Sequence, residues 1–135
     1  MLLSSRCRWL AAPGRWVVRA RVERFVEPAV LLVLASGPCH GYDLKDRMVA
    51  LVGEESVDVA NLYRLLRQLE LEGIVQSRWD TAGSGPARRV YRLTSAGRRL
   101  LDQWAQQIRH LEVTIRGFRE AYDAIPTTTS RRARS

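Results

Sequence analysis

Between residues 58 and 93 the apolar positions change their spacing. Val59, Leu62, Leu66 and Leu69 recur at steps of three and four, which puts them on one face of a helix. Asp58 is the expected N-cap, its carboxylate accepting from the orphan amides of the first turn, and Gly73 is the expected stop. The opposite face carries Asn61, Arg64, Arg67 and Gln68. A strand ending in Trp79, a tip T-A-G-S-G-P of loop composition and a return strand R-R-V-Y-R-L then predict a hairpin, with Trp79 and Tyr91 expected to face each other across it. Upstream, Glu27-Pro28 opens an almost wholly apolar helix that should lie centrally in the core and stop at Gly37-Pro38. A second helix is expected over residues 42–52, with Leu44, Met48 and Leu51 inward. Downstream, Thr94 is placed to cap a last helix, which should end near Ile125-Pro126. Along it Leu101, Trp104, Ile108, Leu111, Ile115, Phe118 and Tyr122 alternate steps of three and four. That seam is narrower than the apolar face a helix needs to sit on a globular core, so it calls for a partner helix.

The pattern predicts a mainly α protein with a small β hairpin: a winged helix-turn-helix domain plus a long C-terminal dimerisation helix. Its divisions are expected at 1–22, a basic and disordered extension; 23–95, the winged domain; 96–124, the dimerisation helix; and 125–135, a disordered basic tail. A helix followed directly by a basic hairpin suits DNA. The helix fits the major groove, where Asn61, Arg64, Arg67 and Gln68 can meet base edges and phosphates, and the wing, with Arg78, Arg88 and Arg89, reaches the adjacent backbone. Arg92 adds a further cation to that strand.

Charge sharpens this reading. The 135-residue chain has a formal net charge of +8 and a sequence pI near 10.7, which favours a polyanionic partner. Lys45 is the sole lysine, and arginine is the residue of bidentate phosphate and guanine recognition, although GC-rich coding also enriches it. Cys7 and Cys39 lie far apart without metal-ligand spacing and read as free thiols of a reducing cytosol, so a cytoplasmic location is expected with no metal and no cofactor. Apolar runs stay too short for a membrane span. His40 has only Cys39 and Asp43 beside it and reads as a structural or capping histidine. Without a nucleophile–base pair, a phosphate-cradling glycine loop or a metal cluster, enzyme activity is not expected; a basic module for another protein or RNA is the second reading. Residues 1–21 alternate arginine with tryptophan and small side chains and lack the apolar core of a targeting peptide. They are expected to be a poorly ordered extension, and Val22 is a candidate alternative start; a basic arm lying on DNA is the other reading of the segment.

Three stretches in order, G-P-C-H-G-Y-D-L, A-N-L-Y-R-L-L-R-Q-L-E-L-E-G-I-V and V-Y-R-L-T-S-A-G, resemble the signatures of the PadR family of transcriptional regulators, in its short form, over roughly residues 27–99. Asp58, Ile74 and Val90 depart from the usual residues without conflicting with the fold. The resemblance implies a homodimer formed through the last helix, binding duplex DNA at a palindromic operator, as a repressor. It implies that Tyr63 helps hold a backbone phosphate. It also implies an aromatic or lipophilic effector between the wing domains and the dimer helices; Trp104 is the candidate lining residue, with plain interface packing as its other role.

Overall fold

The computed structural model describes residues 8–18, 25–54, 57–83 and 85–127. In order these form β1 (Arg8–Ala12), β2 (Arg15–Val18), α1 (Val26–Ala35), β3 (Cys39–His40), α2 (Gly41–Val52), α3 (Val59–Leu71), β4 (Val75–Asp80), β5 (Arg88–Leu93) and α4 (Ser95–Asp123). The chain divides into two compact units, residues 1–101 and 102–135.

In the first unit α1, α2 and α3 supply the core. Val30, Leu31, Leu44, Met48, Leu62, Leu66, Leu69 and Val75 are wholly buried. Burying each such side chain is worth roughly 1.5–3 kcal/mol, so this cluster is the main source of stability. Leu51, expected inward, is instead 49% exposed. It lies in the last turn of α2, where the inward face of the helix runs out into solvent.

The ends of α3 are made by local chemistry. Asp58 Oδ1 accepts from Ala60 N at 3.1 Å, the expected N-cap. At the other end Gly73 adopts φ +76° while its amide donates to Glu70 O and that of Ile74 to Leu69 O, a Schellman closure that turns the chain straight into β4.

The sheet of this unit has the order β3-β5-β4, all antiparallel. Its register corrects one expectation: Tyr91 lies opposite Ser77, and Trp79 opposite Arg89. Trp79 and Tyr91 are therefore diagonal neighbours on one face, with Tyr91 buried and Trp79 at 60% exposure. The wing is fixed at its base by Tyr91, not by an aromatic pair.

The extension at the N-terminus also differs from the disorder expected of it. Residues 8–18 form a two-stranded antiparallel hairpin in which Trp9 pairs with Val17 and Leu10 with Trp16. Pro13-Gly14 makes the turn, with Gly14 at φ +74°, the geometry of a tight turn with proline leading. Of the basic tail expected at 125–135, residues 128–135 lie outside the described residues, as do residues 1–7 and 19–22 of the extension.

α4 is one continuous 29-residue helix. Its start is bound into the first unit. Thr94 N donates to Ile74 O, the Thr94 hydroxyl donates to Gly73 O and Ile74 O, and Gly97 N donates back to Thr94 Oγ1 at 3.0 Å. Thr94 thus caps the helix and ties it to the turn that ends α3. In the second unit the same helix leaves Val113, Ile115, Phe118 and Tyr122 more than half exposed. Arg116 and Glu112 form an i,i+4 ion pair at 2.7 Å on its surface.

Candidate nucleic-acid interface

Because α3 commits Leu62, Leu66 and Leu69 to the core, helical geometry dictates what its other sides carry. Arg64 stands directly opposite the buried stripe. Asn61 and Gln68 flank it on one side, Arg67 and then Tyr63 on the other, and all five are exposed. Among the described residues the side chains of Arg64, Arg67 and Gln68 make no hydrogen bond or ion pair, although the Arg67 charge also acts on the Tyr91 hydroxyl. Asn61 differs: its amide nitrogen donates to Asp58 Oδ2 at 3.1 Å, so the helix cap already holds it.

The last polar position of α3, Glu70, reaches the wing and was not among the expected site residues. One carboxylate oxygen accepts from the Ser77 hydroxyl on β4, the other faces Arg89 Nη2 on β5 at 3.4 Å, and Arg89 Nε donates to Ser77 Oγ at 2.8 Å. Glu70, Ser77 and Arg89 thus form a polar clamp between recognition helix and wing, and the Arg89 guanidinium also lies 5.4 Å from the Trp79 ring. The signal was legible in one respect: Glu70 falls on the flank of α3 next to Tyr63 and Arg67, where a helix leading into a hairpin must face it.

Beneath the clamp, Tyr91 sits where three segments meet. A Cβ on Gly41 would lie 3.2 Å from Tyr91 Cε2 and 3.6 Å from Tyr63 Cε1, so α2, α3 and β5 touch through two aromatic rings with no room to spare. Burial pushes the Tyr91 hydroxyl above its ordinary range, Arg89 opposing and Glu70 adding to the shift. Tyr63 is 44% exposed, so one edge packs here while the rest remains open.

The other face of the sheet holds a separate set. Arg88 Nη1 donates to the Tyr42 hydroxyl, with the guanidinium 5.0 Å from the Tyr42 ring. Tyr42 in turn stacks on His40 at 5.8 Å, and His40 Nε2 is 3.8 Å from Asp80 Oδ2. His40 sits on β3, paired with Val90. Arg92 donates twice to Gln76 Oε1, at 2.7 and 3.1 Å. Arg78 lines a shallow groove of about 390 Å³ with Pro38, Gln76, Val90 and Arg92.

The cationic residues named from the sequence therefore sort into three kinds. Arg64 and Arg67 project freely from α3. Arg89 stands beside α3 but is engaged with Glu70 and Ser77, whereas Arg78, Arg88 and Arg92 occupy the opposite sheet face. Trp104 and the seam residues Ile108, Leu111, Ile115, Phe118 and Tyr122 belong to the second unit, and Leu101 closes the first. No cluster of His, Cys, Asp and Glu among the described residues could hold a metal ion, and no helix among them is long and apolar enough to cross a membrane.

Comparison with known proteins bears on this arrangement. The chain matches the model of the transcriptional regulator PadR-like family over residues 30–103. A PadR family transcription regulator from Clostridium difficile is similar in fold, with a TM-score of 0.62 and 22% identity over 70% of this chain and 97% of that one. A PadR-like regulator from Bacillus cereus gives a TM-score of 0.62 and 21% identity over 70% and 90%. Bacillus subtilis PadR, solved in complex with operator DNA, gives a TM-score of 0.55 and 28% identity over 61% of this chain and 46% of its own. No curated protein matches the chain. With more than half of its length inside the family model, and with a winged helix followed by a long C-terminal helix, the chain belongs to the PadR-like family of transcriptional regulators.

Proposed function

We propose that this regulator is a homodimeric repressor that binds a palindromic operator, placing α3 in the major groove and the wing along the neighbouring backbone. The observation that carries the proposal is the outward face of α3: Arg64 opposite the core, Arg67 and Gln68 beside it, none of these side chains held by a hydrogen bond or ion pair among the described residues, on a helix that buries Leu62, Leu66 and Leu69 on its other side. Such side chains pay little to redirect toward guanine and phosphate. The operator complex of the Bacillus subtilis relative supports the same class of partner. Tyr63, with one edge packed and the other open, is suited to a phosphate contact. A single recognition helix binds weakly, and joining two copies gives the second a high effective concentration. The exposed apolar stretch of α4 from Ile115 to Tyr122 supplies the surface for that pairing. Two-fold pairing then asks for half-sites about 10 base pairs apart or a multiple of that. Trp104 is the candidate contact for an aromatic or lipophilic effector that releases DNA.

The test is footprinting on the DNA upstream of the protein's own coding region, followed by titration of the protected site. Arg64→Ala or Arg67→Ala should cost about 1–3 kcal/mol where the residue reads a guanine, and only on the correct site. Undiminished operator affinity in a variant lacking both would end the reading.

A further inference from the structure

The positive charge of this protein is not where its recognition helix is. Residues 23–127 hold fourteen basic and fourteen acidic side chains and are formally neutral. The first 22 residues hold five arginines and no acid, and the last eight hold three arginines and no acid, so the whole +8 belongs to the two ends. The recognition domain has specific donors but no excess field to hold it near a polyanion. The N-terminal end carries the larger share, and it has structure.

The hairpin β1–β2 sets Arg8 at one end of its ladder, opposite Val18, and Arg15 at the other, opposite Ala12. Four residues of strand separate the two positions by about 13 Å, and strand alternation puts Arg8 on the face of Leu10 and Trp16 and Arg15 on the other, so a ribbon entering a groove edge-on offers the two charges to the phosphates of its two walls. Neither arginine pairs with an acid among the described residues. Arg8 lies instead over the Trp16 ring at 5.1 Å, which fixes its stem and leaves the charge uncompensated. Trp16 and Leu10, paired across the strands, are 57% and 51% exposed on the same face. The matched family segment begins at residue 30, so this hairpin lies outside it.

From this we infer that the β1–β2 hairpin is a second DNA-contacting element. It holds the duplex backbone without reading sequence and supplies the field that the neutral winged domain lacks. The inference rests on the DNA-binding reading above. DNA is favoured over an anionic membrane because the hairpin shares a chain with α3, and a duplex held by α3 is presented to it at high effective concentration.

The experiment is a salt titration of the full chain on a random-sequence 30-base-pair duplex. It compares wild type with Arg8→Ala/Arg15→Ala and with the charge-preserving Arg8→Lys/Arg15→Lys. Each phosphate contact contributes about 0.9 to the slope of log affinity against log salt, so the alanine pair should flatten it by about 1.8 for each bound protomer. Between 50 and 200 mM salt, wild type should lose about twelvefold more affinity than the alanine pair for each bound protomer, while the lysine pair behaves as wild type. If wild type binds with a steep slope and the alanine pair matches it, the hairpin inference is overturned and the role of α3 stands. Flattening in both variants would overturn it too, by assigning the effect to hairpin geometry and not to charge. Wild type that ignores the duplex at every salt concentration would overturn the DNA reading itself. So would hairpin-dependent binding to phosphatidylglycerol vesicles alone.

Discussion

Gly97→Ala isolates what holds the long helix to the winged domain. A Cβ at this position would lie 2.3 Å from Ile74 O and 2.5 Å from Leu93 Cδ1. An ordinary contact needs about a further ångström, and the nearer neighbour is backbone that itself accepts from Thr94 N and the Thr94 hydroxyl. The first turn of α4 must therefore retreat. Overpacking of this kind costs about 1–3 kcal/mol, and loosening the Thr94 bonds adds about 1 kcal/mol for each one lost. Alanine in a helix returns about 1 kcal/mol over glycine. With one or two of those bonds lost, the sum is a loss of roughly 1–4 kcal/mol. Gly117→Ala is the matched control. It makes the same change in the same helix, at an exposed site where an added Cβ meets nothing within 4 Å, and should gain up to about 1 kcal/mol. Urea unfolding followed by far-UV circular dichroism, at one protomer concentration, reads both. Stability at or above wild type for Gly97→Ala would refute the close-contact argument.

Three further outcomes follow from the geometry. Glu70→Gln should free Arg89 and raise affinity for random duplex, and a Glu70/Arg89 double-mutant cycle should show a stability coupling of about 0.2–1 kcal/mol for this partly exposed pair; zero coupling would remove the clamp. Leu111→Asp should give monomers by sedimentation that lose operator binding and keep weak nonspecific binding, since a carboxylate against apolar partners in both subunits costs several kcal/mol; a persisting dimer would move the interface elsewhere. Burial raises the Tyr91 hydroxyl above its ordinary value of 10.0, so its neutral form is favoured in the folded chain. That contribution is intact below pH 10 and is lost as pH rises through the folded value. The urea midpoint of wild type should then fall faster above pH 10 than that of Tyr91→Phe, and equal slopes would contradict it.

The elements built from neighbours along the chain were legible in the sequence. Leu62, Leu66 and Leu69 are wholly buried because a 3.6-residue spiral lets no other arrangement hide all three. Asp58 caps α3, Gly73 closes it and Thr94 caps α4, since each acts on backbone groups close to it or on the turn it joins. The exposed arc with Arg64 at its crest follows from the same periodicity.

What required the tertiary structure is contact between distant segments. A two-residue slip in the wing leaves the in-and-out alternation unchanged, so pattern alone could not tell Trp79 opposite Tyr91 from Ser77 opposite Tyr91. Pro13-Gly14 was an available sign of the first hairpin, but its strands are too short for their alternation to stand out from a basic, irregular segment. Nothing along the chain marks Glu70 as the partner of Ser77 and Arg89, which β4 and β5 bring to it, and Arg88 meets Tyr42 across 46 residues of chain. Periodicity decides which side of an element is buried. Which buried or exposed groups meet is set by how the elements pack, and the clamp between recognition helix and wing exists only at that level.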